Sequence, residues 1–150
     1  MKNMFDPANV AEIQQRLGTL TPESKAQWGK MHVGQAMAHC SVGFESANGD
    51  KPIPRLFIGR LLGGIIKPFA VRDDAPMKKN SPTAPAFLMG PDCQFTPERA
   101  KLAGLIDRFA KEGASGCTTH PHAFFGKMTP DEWAILMYKH MDHHLRQFGA

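Results

Sequence analysis

Apolar residues along this chain recur three and four positions apart and nowhere alternate with polar ones over a useful length, which predicts an all-α protein. The first helix should run from Pro7 to Leu17. Asp6 caps it, Pro7 fills a position that needs no N–H, Val10, Ile13 and Leu17 form its inward stripe, and Gly18 stops it. The form Thr-Pro-acid, an N-cap oxygen followed by a proline and a carboxylate, marks starts at Thr21-Pro22-Glu23, Thr96-Pro97-Glu98 and Thr129-Pro130-Asp131. The first of these leads by a short turn to Trp28. A second helix is expected from near Met31 to Ala47, closing in Asn48-Gly49. A third follows Thr96, carries Leu102, Leu105, Ile106 and Phe109 on one stripe, and stops before Gly113. The last runs from Pro130 to about Phe148, with Glu132 placed to close a capping box on Thr129.

Residues 49–95 differ, with prolines at 52, 54, 68, 76, 82, 85 and 91. Within them only Leu56 to Ile66 reads as helix, and Gly59, Gly63 and Gly64 weaken that reading. The simplest architecture is one domain over residues 1–150: an up-down-up-down four-helix bundle with a long Pro/Gly-rich insertion between its second and third helices. Bundle connections normally take about 2–8 residues. An insertion carrying Leu56, Phe57, Ile58, Leu61, Leu62, Ile65 and Ile66 must bury them somewhere, which predicts a place over the mouth of the bundle or across a dimer contact, the alternative being a core helix whose small residues allow close packing.

With 42% hydrophobic and 21% charged residues, the composition is that of an ordinary soluble globule. No apolar run is long enough to span a membrane and the N-terminus has no signal-peptide core, so the expected location is the cytoplasm. Cys40, Cys93 and Cys117 fit neither a disulfide framework nor a Cys-x-x-Cys zinc site. The formal charge of +4 is concentrated: Lys51 to Lys79 holds seven Lys or Arg against two Asp, a local +5. Such a patch can attract an anionic ligand or a nucleic acid, but no nucleic-acid motif or interleaved aromatics accompany it, so a solvated segment is the simpler reading.

The candidate chemistry lies in the last helix. His140 and His144 fall one turn apart on the face that also carries Trp133, Leu136, Met137 and Gln147. Two imidazoles on an otherwise apolar face each need a partner once desolvated, and His-x-x-x-His on a helix presents two nitrogens to one divalent ion. The alternative is an incidental, solvated His-rich end. A third ligand is expected from the second helix, which offers His39 in mid-helix and His32 at its start, about 20° apart around the axis. His39, beside Ala38, Val42 and Gly43, lies where the core should be and is the stronger candidate, the alternative being a core histidine bonded to a carbonyl. His32 could be wet or could cap.

Trp28-Gly29-Lys30-Met31, Gln35 to His39, Phe125 to Thr129, Trp133 and His140 to Gly149 together resemble the DinB/YfiT-like metalloenzyme superfamily. More narrowly they resemble a branch of it catalogued only as a domain of unknown function. The resemblance implies a four-helix bundle, often dimeric, with its metal on His39, His140 and His144. Better-studied relatives are thiol-dependent transferases or isomerases that use low-molecular-weight thiols such as mycothiol, bacillithiol or glutathione. The glycine- and proline-rich insertion departs from the simplest members.

Three neutral imidazoles leave an ion its full charge and an open position, a Lewis-acid site at which water or a thiol loses its proton more readily. Zinc, nickel, iron and manganese all accept such ligands. Candidate general bases are His143, about 60° from His140, and His120 or His122 from the preceding loop; Gln147 could orient water or bond within the core. Asp142 lies opposite His140 and Cys40 about 100° from His39, so neither is expected at the ion. The leading expectation is a metal-dependent enzyme acting on a small, anionic substrate with a thiol cofactor. A metal-dependent hydrolase and a non-catalytic metal-stapled or interaction protein are the alternatives.

Overall fold

The structure, a computed structural model, describes residues 1–150, and its regular elements are all helical: α1 (Pro7–Thr19), α2 (Val33–Ala47), α3 (Phe57–Val71), α4 (Phe95–Gly116) and α5 (Pro130–Gln147), with one 3-10 turn at Pro85–Phe87. No strand is present, and no helix is long and apolar enough to cross a membrane. One core is shared by Ile13 and Leu17 of α1, Met37, Cys40 and Phe44 of α2, Leu102, Ile106 and Phe109 of α4, and Trp133, Met141 and Leu145 of α5. In α2 every residue but Gln35 and Glu45 is buried. Its small residues let α4 and α5 close on it from different sides.

Two helix starts form as their sequences dictate. Asp6 accepts from the Ala8 N–H (2.9 Å). Thr129 Oγ1 accepts from the Glu132 N–H (3.2 Å) while Glu132 accepts from the Thr129 N–H (2.8 Å), a closed capping box. The other two Thr-Pro-acid sites behave differently from Thr129. At Thr21-Pro22-Glu23 the expected short turn forms, closed by Ser24 N–H to the Thr21 carbonyl (3.0 Å), and no apolar stripe follows to hold further turns. α4 begins at Phe95, two residues before the expected start, and Gln94 rather than Thr96 is its cap residue. The earlier start buries the Phe95 ring, and Pro97 still falls in the first turn, where its missing N–H costs nothing. α1 runs past Gly18 to Thr19 and ends as Leu20 turns extended to put its side chain in the core. α4 breaks at Gly113 (φ 58°, ψ −148°), a conformation open to glycine alone, and continues for one more turn.

The segment between α2 and α4 departs furthest from expectation. α3 extends five residues beyond Ile66, through Pro68. Its inward edge is glycine: a Cβ on Gly59 would lie 2.6 Å from the Phe124 carbonyl oxygen, and one on Gly63 would collide with the same atom. The helix backbone thus rests on the backbone of the loop before α5. Phe57, Ile58, Leu61, Leu62, Ile65, Ile66 and Phe69 consequently face outward and are exposed, contrary to the expected burial at the bundle mouth. Lys67, bonded to Glu132 (2.8 Å) and to the Lys127 carbonyl (3.0 Å), fastens α3 to the start of α5.

Candidate metal centre

α2 and α5 meet where Gly43 faces His140. A Cβ at Gly43 would lie 3.2 Å from His140 Nδ1, so the glycine sets how closely the two helices approach. This brings His39, His140 and His144 into one group whose ligand atoms all lie within 4.8 Å of one another, a group able to hold a metal ion. The ring centroids are 4.8 to 5.0 Å apart and every pair meets edge-on. His39 and His144 are buried; His140 is partly exposed to the cavity they border.

Hydrogen bonds fix two of the three tautomers. His39 Nδ1–H donates to the Phe87 carbonyl (3.0 Å), leaving the lone pair on Nε2. Gln147 Nε2–H donates to the Trp28 carbonyl (2.7 Å), so its Oε1 is the atom that accepts from His144 Nδ1–H (2.8 Å), and His144 too keeps its lone pair on Nε2. Such outer partners are what a metal-ligating imidazole ordinarily has. His39 Nε2 and His140 Nε2 are 2.9 Å apart, a separation bridged by one shared proton or by an ion accepting both lone pairs. Burial is the main force pushing all three below the usual histidine range, His144 to about 3, with the neighbouring imidazoles adding to it for His140 and His144. Neutral imidazole is the form a metal takes up, so the donor set fits a divalent ion.

The group borders a cavity of about 630 Å³, within the ordinary range for small-molecule sites. Residues 77–89 form one wall, so part of the segment between α2 and α4 lies over the histidines. The chain belongs to the family described as protein of unknown function (DUF1569). That family's model matches residues 4–150, a span that includes every residue of the site. No curated protein and no solved structure matches this DUF1569 chain.

The remaining sequence candidates divide. His143 lines the cavity, half-buried, with its ring 5.0 Å from His144 and edge-on to Trp28. Burial lowers it from the ordinary value against the raising effect of the Met77 backbone. Gln147 is buried with both ends of its amide engaged as above. His122 lines the cavity; His120 is exposed and does not. His32 is the N-cap of α2: its Nδ1 accepts from the Gln35 N–H (3.3 Å) and its Nε2–H donates to the Pro91 carbonyl (2.9 Å), so both ring nitrogens are occupied away from the metal group. Asp142 is held by Arg16 and Arg146, each at 2.8 Å, and Cys40 lies in the core with its thiol pushed up by burial. The Phe87 and Trp28 carbonyls were not foreseen. A backbone oxygen has no signature in sequence, although the buried imidazoles each implied some partner of this kind.

Proposed function

We propose that this DUF1569 chain is a mononuclear metalloenzyme that acts on a small anionic molecule, most simply as a thiol-dependent transferase or isomerase of the DinB-like kind. In this reading residues 1–150 are one domain, α1, α2, α4 and α5 its four-helix bundle, and the segment between α2 and α4 an insertion over the site. The observation that carries the reading is the pair of Nε2 lone pairs, oriented by Phe87 and Gln147, converging with His140 at the wall of a small-molecule cavity. A structural zinc site is normally closed by four protein ligands, whereas three imidazoles leave a position for exchange.

Zinc or nickel suits this all-imidazole set best, iron or manganese being the alternatives, and such an ion supplies Lewis acidity that makes a thiol or water acidic near neutral pH. The chain supplies the rest. His39, His140 and His144 hold the ion, while Gln147 and the Phe87 carbonyl keep two of those rings in register. His143, on the same wall, accepts the proton that the nucleophile gives up. Phe87, Leu136 and Met137 exclude bulk water, and Lys30 and Lys78 favour an anionic substrate or thiol. The three free thiols fit a reducing cytoplasm.

A second copy is the occupant proposed for the outer face of α3. Phe57 and Phe69, 77% and 57% exposed, present on the order of 250 Å² at about 200 Å² per ring. With the five aliphatic side chains the face passes the roughly 300–600 Å² that a monomer tolerates and approaches the about 800 Å² per partner of a standard interface.

The test is elemental analysis of untagged protein followed by an activity panel pairing glutathione, mycothiol and bacillithiol with carboxylate-bearing electrophiles. One ion per chain and turnover that requires the thiol support the proposal. Turnover without thiol makes the protein a hydrolase, and a bound ion with no turnover leaves it a metal-stapled binding protein.

A further inference from the structure

Past the histidine group the cavity continues along both helices that carry it. α2 and α5 run antiparallel, since His39 meets His140 and His144 while Gly43 faces His140 and Met137. Ser46 follows His39 by two helical turns, about 10 Å along α2 and about 20° around it, and Trp133 precedes His140 by the same interval on α5. The inner end of the cavity is therefore bounded by Gly43, Ser46, Trp133, Leu136 and Met137, all of them buried. The opposite end is the mouth. Gln147, which holds the Trp28 carbonyl, lies about 20 Å along α5 from Trp133. Lys30 is two residues from Trp28, Lys78 adjoins the lysine that covers the Trp28 ring, and both line the cavity from exposed positions.

A mid-helix serine ordinarily returns its hydroxyl to the carbonyl four residues back, as Ser41 does to Met37 (3.0 Å). Ser46 makes no such bond and no other, although it is only 7% exposed. Nor is its oxygen sealed away: the unpartnered side-chain atoms without access are those of Trp28, Asn48, Arg55 and Trp133. A nearly buried hydroxyl that keeps some surface and lacks a partner is open to whatever fills the cavity, water in the free protein and a ligand atom otherwise.

We propose that Ser46 is a specificity-determining residue whose hydroxyl hydrogen-bonds an uncharged oxygen of the substrate, a carbonyl or a hydroxyl, carried on an apolar body in the inner end of the cavity. This deepens the metalloenzyme reading and rests on it only for the word substrate. The ligand class follows from what surrounds Ser46. No charged side chain lines the inner end: His122, its ring centroid 5.3 Å from that of Trp133, is held neutral, its pKa pushed down to about 4 first by burial and then by the Arg55 charge. One neutral hydroxyl does not repay the desolvation of a carboxylate or an ammonium. It does serve a carbonyl or an alcohol, because it both donates and accepts. A negative charge on the same substrate goes instead to the lysines at the mouth, and the reacting atom lies between the two ends, at the histidine group.

The probes are acetophenone and toluene, one aromatic body with and without a carbonyl, and benzoate, the same body with a charge. Each is titrated into the ¹⁵N-labelled full chain, as purified and after chelation, and read on the Trp133 indole resonance. Acetophenone should shift it and saturate, and benzoate should bind there more weakly. Ser46→Ala, a change a helix tolerates, should weaken acetophenone about threefold to tenfold, the worth of one neutral hydrogen bond, and leave toluene unchanged. Equal acetophenone affinity in wild type and variant overturns the proposal, as does a loss that toluene shares, which marks a change of cavity shape alone. Benzoate favoured over acetophenone overturns the ligand class, and a Trp133 resonance that no probe moves overturns the subsite. Because the readings on chelated protein need neither ion nor turnover, a protein without metal or thiol activity would lose the metalloenzyme reading and keep Ser46 as a ligand contact. An indifferent Ser46→Ala variant of an active metalloprotein would do the reverse.

Discussion

α3 and α5 are both amphipathic, and they are turned in opposite senses. α5 buries its imidazoles and keeps them neutral, while α3 packs its glycines inward and leaves two phenylalanines and five aliphatic residues in water. Each orientation is unfavourable in the isolated chain. Desolvated imidazoles lack sufficient partners, and a wide apolar face orders water around it. The physical character of each tells what would relieve it: a small charged ion for the first, a large apolar surface for the second. Stability alone explains neither, and both lie within reach of one cavity, since the loop under α3 carries His122 and the segment after it forms the wall over His39.

The largest expected effect tests the α5 side. His144→Ala should lower affinity for a divalent ion by more than the about 10-fold to 100-fold that loss of an outer partner costs, with helicity retained. Equilibrium dialysis and circular dichroism would measure it. Full occupancy in that variant would remove the distinction drawn here, because α5 would then bury its histidines for packing alone.

Acid gives the next effect, and it should act on the histidines of α5 and of the loop before it rather than on α3. The folded-state pKa values of His122 and His144 lie at about 4 and 3, below the ordinary 6.5, so the unfolded chain takes up protons first as pH falls. The stability of metal-free protein should therefore be complete above about pH 6.5, decline as pH falls toward 4, and level off only below the folded values. For His122 the drop from 6.5 to about 4 corresponds to on the order of 3 kcal/mol. Urea unfolding between pH 7.5 and 4 measures it, and a flat profile would mean the imidazoles are not desolvated. Self-association through α3, whose outer face carries no group titrating in that window, should not follow the same curve wherever the protein remains folded.

The smallest effect tests α3. Ile65→Lys should weaken self-association about tenfold or more by placing one charge in the apolar face, with folding and metal content unchanged. Sedimentation equilibrium decides it. A wild-type chain that stays monomeric at high concentration would refute the assignment of a second copy to this surface.

What could be read in advance follows the strength of local signals. The capped start at Thr129 and the spacing of His140 and His144 are set within one helix, and His39 needed only the inference that an inward mid-helix imidazole faces them. Thr21 and Thr96 carry the same start signal as Thr129 without the same result. A cap contributes about 1 kcal/mol, whereas burying a phenylalanine contributes about 1.5–3 kcal/mol, so Phe95 moved the start of α4 and an unburied stretch after Thr21 stayed a turn. For α3 the sequence left burial over the bundle mouth, a dimer contact and close packing through small residues all open, because period alone cannot tell an apolar face from a glycine edge as the surface that packs. The Phe87 and Trp28 carbonyls were illegible because their role depends on tertiary placement, 48 and 119 residues from the side chains they receive.

Gln147 joins two parts of the molecule. Its side chain grips His144 and the Trp28 carbonyl, its own carbonyl accepts from the Gln27 N–H (2.8 Å), and Gly29, at φ 80°, leaves the space its amide fills. The stretch from Gln27 to Gly29 is thus tied to the residue that orients His144. Moving that stretch away from α5 would widen the cavity and release the His144 ring in a single step, because both are held through Gln147.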